Sequence, residues 1–353
     1  MRVLVLGGGT FVGRALVEAA LAAGHQVTTL TRSTSPPGAE IGAIEALFGD
    51  RRTPAGLSVI DRCRETVGRE SVGRESVGRD WDVVFDTWSG APRVVQQSVT
   101  LLRRRVPFYS YVSSMSVYAE PMPAGSNESH RPVEAESSAD ATNYPADKRG
   151  GELAVLEGYG EDHCLLARAG LILGPYEGPG RLPWWLNRLA RGGEVLAPGP
   201  ANLPLQYVDA RDLATWMVHC AEHQIAGAFN AVSESGHTTM RELLDTCHVV
   251  VDSTARLVWV DPDFVVAHGI EPWIELPIWL PPGPDHDAQS ADTRRAAAAG
   301  MICRPLRDTV RDTWQWLSDG GAPRPVPGRM TVGLAPEKEQ AALAAWHAAA
   351  AHK

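Results

Sequence analysis

Two side chains four residues apart, Tyr144 and Lys148, stand at the start of a segment that reads as a helix. That spacing puts both on one helix face. A free tyrosine loses its proton near pH ~10, too high for a base near neutrality. An ammonium beside it favours the phenolate and lowers that value. Tyr144 can then exchange a proton with a carbinol or carbonyl oxygen. Ser114, in Ser113-Ser114-Met115-Ser116-Val117-Tyr118, can hold the same oxygen by a hydrogen bond. A lone Tyr-x-x-x-Lys pair is common on exposed helices and says little by itself. It gains weight from Gly7-Gly8-Gly9-Thr10-Phe11-Val12-Gly13, which lies between an apolar run and a helix-like segment. Glycines there permit a tight turn and close backbone approach, and a helix N-terminus offers N–H groups to an anion. A dinucleotide pyrophosphate needs that arrangement. Hydride transfer to or from a nicotinamide is the chemistry both features serve.

The next apolar run, Gln26–Leu30, ends in Thr31-Arg32-Ser33. An acidic residue at this place would bind the 2′-hydroxyl of NAD. The first carboxylate here is Glu40. Thr31 and Ser33 can hydrogen-bond a phosphate and Arg32 can pair with it. NADP(H) is therefore the expected cofactor, with NAD(H) as the other candidate.

These residues need elements to hold them. Arg2–Leu6 is a short apolar run. Val12–Ala23 has helical spacing, with apolar Val12, Ala15, Leu16, Ala19, Ala20 and Ala23. Ala43–Phe48, Trp81–Asp86 and Phe108–Ser113 read as later strands. Strands alternating with helices imply a parallel sheet covered on both faces. The expected fold is α/β, a Rossmann-type doubly wound parallel sheet with a smaller C-terminal α/β substrate-binding region. The expected division is a dinucleotide-binding domain over 1–174, to which parts of 205–235 return, and a substrate region over 175–320. A linker and C-terminal helix fill 321–353, and Pro336–Lys353 reads as an Ala-rich helix packed on the body. Residues 66–80 repeat a pentapeptide three times, Thr/Ser-Val-Gly-Arg-Glu/Asp, at a spacing that suits neither helix nor strand. A surface connection is expected there.

The 353 residues carry 33 basic and 42 acidic side chains, a net charge of −9. Nucleic-acid binding needs a basic face, so none is expected. Apolar residues at 44% and charged ones at 21% are ordinary for a globular chain. The five cysteines form no C-x-x-C, which predicts reduced thiols in a cytoplasm. No apolar run approaches the ~20 residues of a membrane span. Gly7-Gly8-Gly9 cuts the first apolar run too early for a signal peptide. His219-Cys-Ala-Glu222-His223 matches a zinc-binding H-x-x-E-H spacing. Both histidines fall at the edge of an apolar face made by Leu213, Trp216, Met217 and Cys220, and no third ligand is apparent. A surface role is expected, and no metal. Nearly half of the aromatic residues are Trp, 11 against 6 Phe and 7 Tyr, and most of them lie beyond residue 180.

Taken in order, the chain resembles the extended short-chain dehydrogenase/reductases, also called the NAD-dependent epimerase/dehydratase family, over roughly residues 1–320. The landmarks are the glycine loop, Gly49-Asp50-Arg51, the Ser113–Tyr118 segment, Tyr144-x-x-x-Lys148, Arg168-Ala-Gly-Leu-Ile-Leu-Gly174-Pro175 and Tyr207-Val-Asp-Ala-Arg-Asp212. The resemblance implies that Lys148 also binds the nicotinamide ribose and that Asp50, with Arg51, lies near the adenine. It implies that Asp86-Thr87-Trp88 lies beside the cofactor. It allows a homodimer. Three departures narrow the activity. Thr10 stands where many relatives have Gly. Met115 and Ser116 stand where dehydratases carry Asp-Glu, which disfavours dehydration. Leu205 stands where nucleotide-sugar enzymes place an Arg on the substrate diphosphate, leaving Arg181 or Arg188 to substitute.

Candidate substrate residues are Trp88, Ser89, Ser116, Arg181, Trp184, Trp185 and Gln206. The reading is an NADP(H)-dependent oxidoreductase acting on a small, partly apolar metabolite by Ser114, Tyr144 and Lys148. The rivals are an epimerase using the same residues and a non-catalytic, cofactor-binding regulatory or RNA-associated relative.

Overall fold

The computed structural model describes residues 1–32, 44–60, 81–324 and 331–351. The pentapeptide repeat and Ser33 lie outside the described residues. Seven strands form one parallel sheet in the order β11-β6-β5-β4-β1-β2-β3. Its members are β1 (Arg2–Leu6), β2 (Gln26–Thr31), β3 (Ile44–Phe48), β4 (Val83–Asp86), β5 (Phe108–Ser114), β6 (Cys164–Ala169) and β11 (Gly227–Ala231). β1 pairs with β2 on one side and β4 on the other, so the chain winds outward from the centre in both directions. This is the doubly wound Rossmann arrangement, with the crevice at the carboxyl ends of the central strands.

The strands read as unbroken apolar runs because both faces are covered. Successive residues of β1 serve opposite cores: Val3 and Val5 one, Leu4 and Leu6 the other. On the first face the Phe11–Ala22 helix packs against the Ala210–Glu222 helix through Val12, Leu16, Leu213 and Met217. On the second face the Pro92–Leu102 helix packs against the Tyr144–Tyr159 helix through Val95, Val99, Ala154 and Val155. β4 begins two residues later than the sequence pattern implies. The Trp81 indole N–H donates to Thr28 Oγ1 at 3.0 Å, so Trp81 packs beside the sheet as an anchor.

A second core lies between short sheets and helices of the later chain. β8 (Glu194–Pro198) pairs in parallel with β13 (Arg256–Val260), and β9 (Pro204–Leu205) pairs with β12 (Thr238–Thr239). β7 (Leu171–Leu173) and β10 (Tyr207–Asp209) join this part to the main sheet's end. Its largest buried side chains include Trp185 and Trp279. Their indole N–H groups donate to Pro277 O at 2.7 Å and Gly199 O at 2.9 Å.

The C-terminal helix, Pro336–Ala351, closes this core with Ala342 and Leu343. Glu339 accepts from Arg188 Nε at 2.6 Å and from the Leu196 N–H at 3.1 Å, with both charged side chains buried. Arg188 also donates to the carbonyls of Gly192 and Glu194. Removing one member of a buried pair leaves an uncompensated charge, which costs about 3–5 kcal/mol. Glu339→Ala is expected to lower unfolding free energy by that amount in urea titration. A loss within about 0.5 kcal/mol, the range of ordinary surface changes, would show the helix to be only loosely attached.

Candidate active site

The glycine loop follows β1 directly. Gly7 has φ +100°, and its N–H donates to Leu30 O at 3.0 Å. A Cβ on Gly7 would sit 2.4 Å from Thr87 Oγ1, and one on Gly13 would sit 2.0 Å from Gly7 O. Neither position has room for a side chain. Thr10 is extended at φ −150° and makes no side-chain cap, while its carbonyl accepts from Gly13 N at 2.9 Å. Phe11 adopts φ 41°, an unusual backbone for a bulky residue. With Val12 it opens a helix whose first-turn N–H groups no cap side chain takes. A turn without side chains facing an uncapped helix N-terminus fits a dinucleotide pyrophosphate, and Thr10 does not prevent the turn.

At the end of β2, Thr31 is buried and Arg32 exposed. Asp50 is gripped by Arg52, whose Nε lies 2.9 Å from Oδ2. The Arg52 hydrogen bonds, with charge from Arg32 close by, hold the Asp50 carboxyl at about 2. Arg32 and Asp50 therefore share one edge of the crevice.

Arg51 and Asp86 lie beneath the site. Arg51 donates to both carboxylate oxygens of Asp86, at 2.5 and 2.7 Å, and to Ser98 Oγ at 2.8 Å. The Tyr109 hydroxyl donates to Asp86 at 2.5 Å. Burial pushes the Asp86 pKa up, but the Arg51 guanidinium outweighs it and holds the carboxyl below its usual range. The expectation that these two side chains touch the cofactor is corrected on this point: both are spent on a buried pair. What they support is Trp88. Asp86 Oδ1 accepts from the Trp88 N–H at 2.9 Å, and the Arg51 guanidinium lies 5.4 Å from the Trp88 ring centre.

The Trp88 carbonyl accepts from Lys148 Nζ at 2.5 Å and from the Tyr111 hydroxyl at 3.1 Å. Lys148 Nζ also donates to Val112 O at 2.6 Å. The ammonium, on a residue only 3% exposed, thus sits on backbone carbonyls from β5 and from just beyond β4. Asn143 caps the helix that carries it, accepting from the Ala146 N–H at 3.1 Å. Tyr144, the first residue of that helix, is 39% exposed. Glu152, on the same helix, takes Ser113 Oγ at 2.7 Å and Arg168 Nε at 2.9 Å, fastening the helix to β5 and β6. Ser114 is the last residue of β5, and its Oγ accepts from the Ser116 N–H at 3.2 Å. Ser89 and Ser116 are exposed. Ser114, Lys148 and the start of the Tyr144 helix meet at one end of the sheet, along with Thr87 and Trp88. Tyr109, Tyr111 and Ser98 escaped the sequence reading because apolar strand and helix patterns do not show which hydroxyl supports which carbonyl.

The remaining candidates divide. Trp185 is wholly buried, and Gln206 is closed by two hydrogen bonds to the Ala291 backbone at 2.8 and 2.9 Å. Both were expected to line a substrate pocket; Trp185 packs in the second core, and the Gln206 amide is taken up by the Ala291 backbone. Leu205 is buried there too. Trp184 is half-buried, packs edge-on against Trp185 at 4.6 Å and lies against Gly333, where a Cβ would meet its ring at 2.2 Å. Arg181 lies 3.8 Å from Glu177 and 5.2 Å from the Trp273 ring centre.

A model of the NAD dependent epimerase/dehydratase family matches residues 3–231. No curated protein matches the chain. Among solved structures, the epimerase Mth375 of Methanothermobacter thermautotrophicus is 17% identical, with a TM-score of 0.63 over 90% of this chain and 92% of that one. Bordetella bronchiseptica WbmH, solved in complex with NAD+, is 15% identical, with a TM-score of 0.63 over 91% and 99%. UDP-N-acetylglucosamine 4-epimerase from Bacillus cereus is 16% identical, with a TM-score of 0.61 over 91% and 100%. At these identities the likeness is one of fold.

Glu177 borders the helix that carries Trp184. Its fully buried carboxyl accepts from the Arg181 N–H at 2.8 Å and the Leu182 N–H at 3.1 Å. Burial pushes its pKa from 4.5 up to about 7, against the pull of Arg181. Between those values the folded chain holds a proton that the unfolded chain has released, so stability falls as pH rises through that window. Glu177→Gln is expected to remove a pH-dependent loss of about 3 kcal/mol. Equal slopes of urea stability against pH in the two proteins would show that Glu177 is already ionised when folded.

Proposed function

The chain belongs to the NAD dependent epimerase/dehydratase family, and from that membership we propose that it reduces a ketone or oxidises a secondary alcohol on a small, partly apolar metabolite. The observation that carries this is the Lys148 ammonium, fixed by two backbone carbonyls one helical turn from Tyr144 and near the strand end that presents Ser114. A bound nicotinamide supplies the hydride donor or acceptor. Gly7, Gly9, Thr10, Phe11, Val12 and Gly13 would hold its pyrophosphate, and Thr87 and Trp88 would flank the nicotinamide end. Tyr144 Oη would take the carbinol proton or return one to a carbonyl oxygen. Ser114 Oγ orients that oxygen. Lys148 would also reach the nicotinamide ribose.

We assign the preferred cofactor as NADP(H). Arg32 is exposed at the end of β2, and the nearest described carboxylate at that edge, Asp50, is already neutralised by Arg52. The substrate region is the later part of the chain, with Ser89, Ser116, Trp88 and Trp184 toward the crevice. Diphosphate recognition has little support: Leu205 is core, and every guanidinium nitrogen of Arg188 is committed. Epimerisation is the second reading, favoured by the family's description and by the epimerases among the structural relatives. It would use the same three residues and return the hydride within one turnover. The cytoplasm is the proposed compartment, and no described helix is long and apolar enough to cross a membrane.

Tyr144→Phe is expected to lose roughly 10²–10⁴ in kcat while retaining cofactor affinity. Full activity in that variant would remove Tyr144 from the mechanism. Arg32→Ala is expected to weaken NADPH binding about tenfold and leave NADH unchanged, the worth of one charge-assisted contact. Equal or tighter NADH binding by the unaltered enzyme would reverse the cofactor assignment. Net change in cofactor absorbance with ketone or alcohol panels separates the oxidoreductase from the epimerase, which shows none.

A further inference from the structure

At the C-terminal end of the Ala210–Glu222 helix, His219, Glu222 and His223 offer ligand atoms that all lie within 4.8 Å of one another. We propose that these three side chains bind a divalent transition cation of the zinc class, at the opposite end of the sheet from the candidate active site. The sequence reading expected no metal because two histidines lacked a third ligand; the structure brings the Glu222 carboxylate to them.

The protonation pattern favours a cation. His223 Nδ1 lies 2.9 Å from the His219 carbonyl. A carbonyl only accepts, so Nδ1 carries the hydrogen and the neutral ring keeps its lone pair on Nε2. That is the tautomer a metal needs. Glu222 Oε1 lies 2.9 Å from His25 Nε2, and the His25 side chain is 8% exposed. The Met1 nitrogen lies 3.1 Å from His25 Nδ1 and can only donate, so the neutral ring carries its hydrogen on Nε2, which stands close to Glu222 without the angle of a hydrogen bond. A buried imidazole this close to the carboxylate stands where outer support for a metal ligand would be needed once Glu222 turns to the metal.

Space and field agree. The His219 and His223 rings are 4.2 Å apart at 39°, already side by side. Gly300 leaves room for His219, since a Cβ there would come within 3.1 Å of Nε2. The last turn of a helix carries partial negative charge, which favours a cation. Zinc bonds of about 2.0–2.2 Å require the ligands to draw closer than they stand. Glu222 and His223 are exposed and can rotate inward. Two imidazoles and a carboxylate suit zinc, nickel or copper better than magnesium or calcium. Water completes a tetrahedral set.

His25 directly precedes β2, whereas Ser114 ends β5, so the site lies at the amino edge of the parallel sheet. Bound metal would brace the last turn of the Ala210–Glu222 helix without entering turnover.

The test is calorimetric titration of Zn2+ into metal-stripped, tag-free protein, at a pH above the ordinary histidine value of about 6.5. One saturable equivalent is expected, with a rise in melting temperature. A His219→Ala/His223→Ala double variant, which trims one half-buried and one exposed side chain and is expected to fold, should show neither. His25→Gln should weaken binding about 10–100-fold. Absence of saturable binding in the unaltered protein, or equal affinity in the double variant, would overturn the site. Turnover unchanged by Zn2+ is expected; a kcat that follows zinc occupancy would contradict the structural role.

Discussion

An ammonium taken out of water must find acceptors or give up its charge. For Lys148 those acceptors are the carbonyls of Trp88 and Val112, and much of the structure is arranged so that both are there. β5 supplies Val112 as a strand carbonyl near its end. Trp88 has left β4, so its carbonyl must be aimed by other means. Its N–H is held by Asp86, its indole by the Ala91 carbonyl and its own carbonyl by Tyr111. Asp86 is held in turn by Arg51 and Tyr109 inside the second face of the sheet. A buried ion pair of this kind adds little net stability. Its effect here is geometric, since it fixes a loop that otherwise has few constraints.

The same logic governs the later chain. Arg188 bridges helix, strand and C-terminal helix through Glu339 and two carbonyls. A guanidinium committed in this way cannot also bind a substrate phosphate. Chemistry and architecture compete for the same arginine, and architecture takes it. Leu205 follows suit, its place in the β9–β12 pair being filled by packing.

How much of this the sequence discloses depends on the range of the interaction. The glycine loop and the Tyr144/Lys148 spacing are local, and the strand runs of the main sheet are buried on both faces, so each is legible from its own residues. Gly7 and Gly13 show why: each excludes a side chain through neighbours that the turn itself brings close. Arg51 and Asp86 are different. They are 35 positions apart, and nothing local distinguishes a cofactor contact from a buried pair. Trp81 shows a smaller version of the limit. Its apolar bulk extends the strand pattern, but its indole hydrogen finds Thr28 and places it outside the strand.

The tryptophan excess shows the limit of composition. An indole buries a large apolar surface but leaves one N–H that needs an acceptor. Trp185, Trp216 and Trp279 meet that need with backbone carbonyls of Pro277, Ala299 and Gly199. Each joins segments far apart in the chain: Trp185 and Trp279 within the second core, where short strands and loops have little ladder of their own, and Trp216 on the first face of the main sheet. Such residues cluster beyond residue 180 because that part of the chain needs cross-ties, whatever the substrate is. Trp88 and Trp184 differ from them in remaining half-buried, one with its carbonyl on the Lys148 ammonium and the other against Gly333.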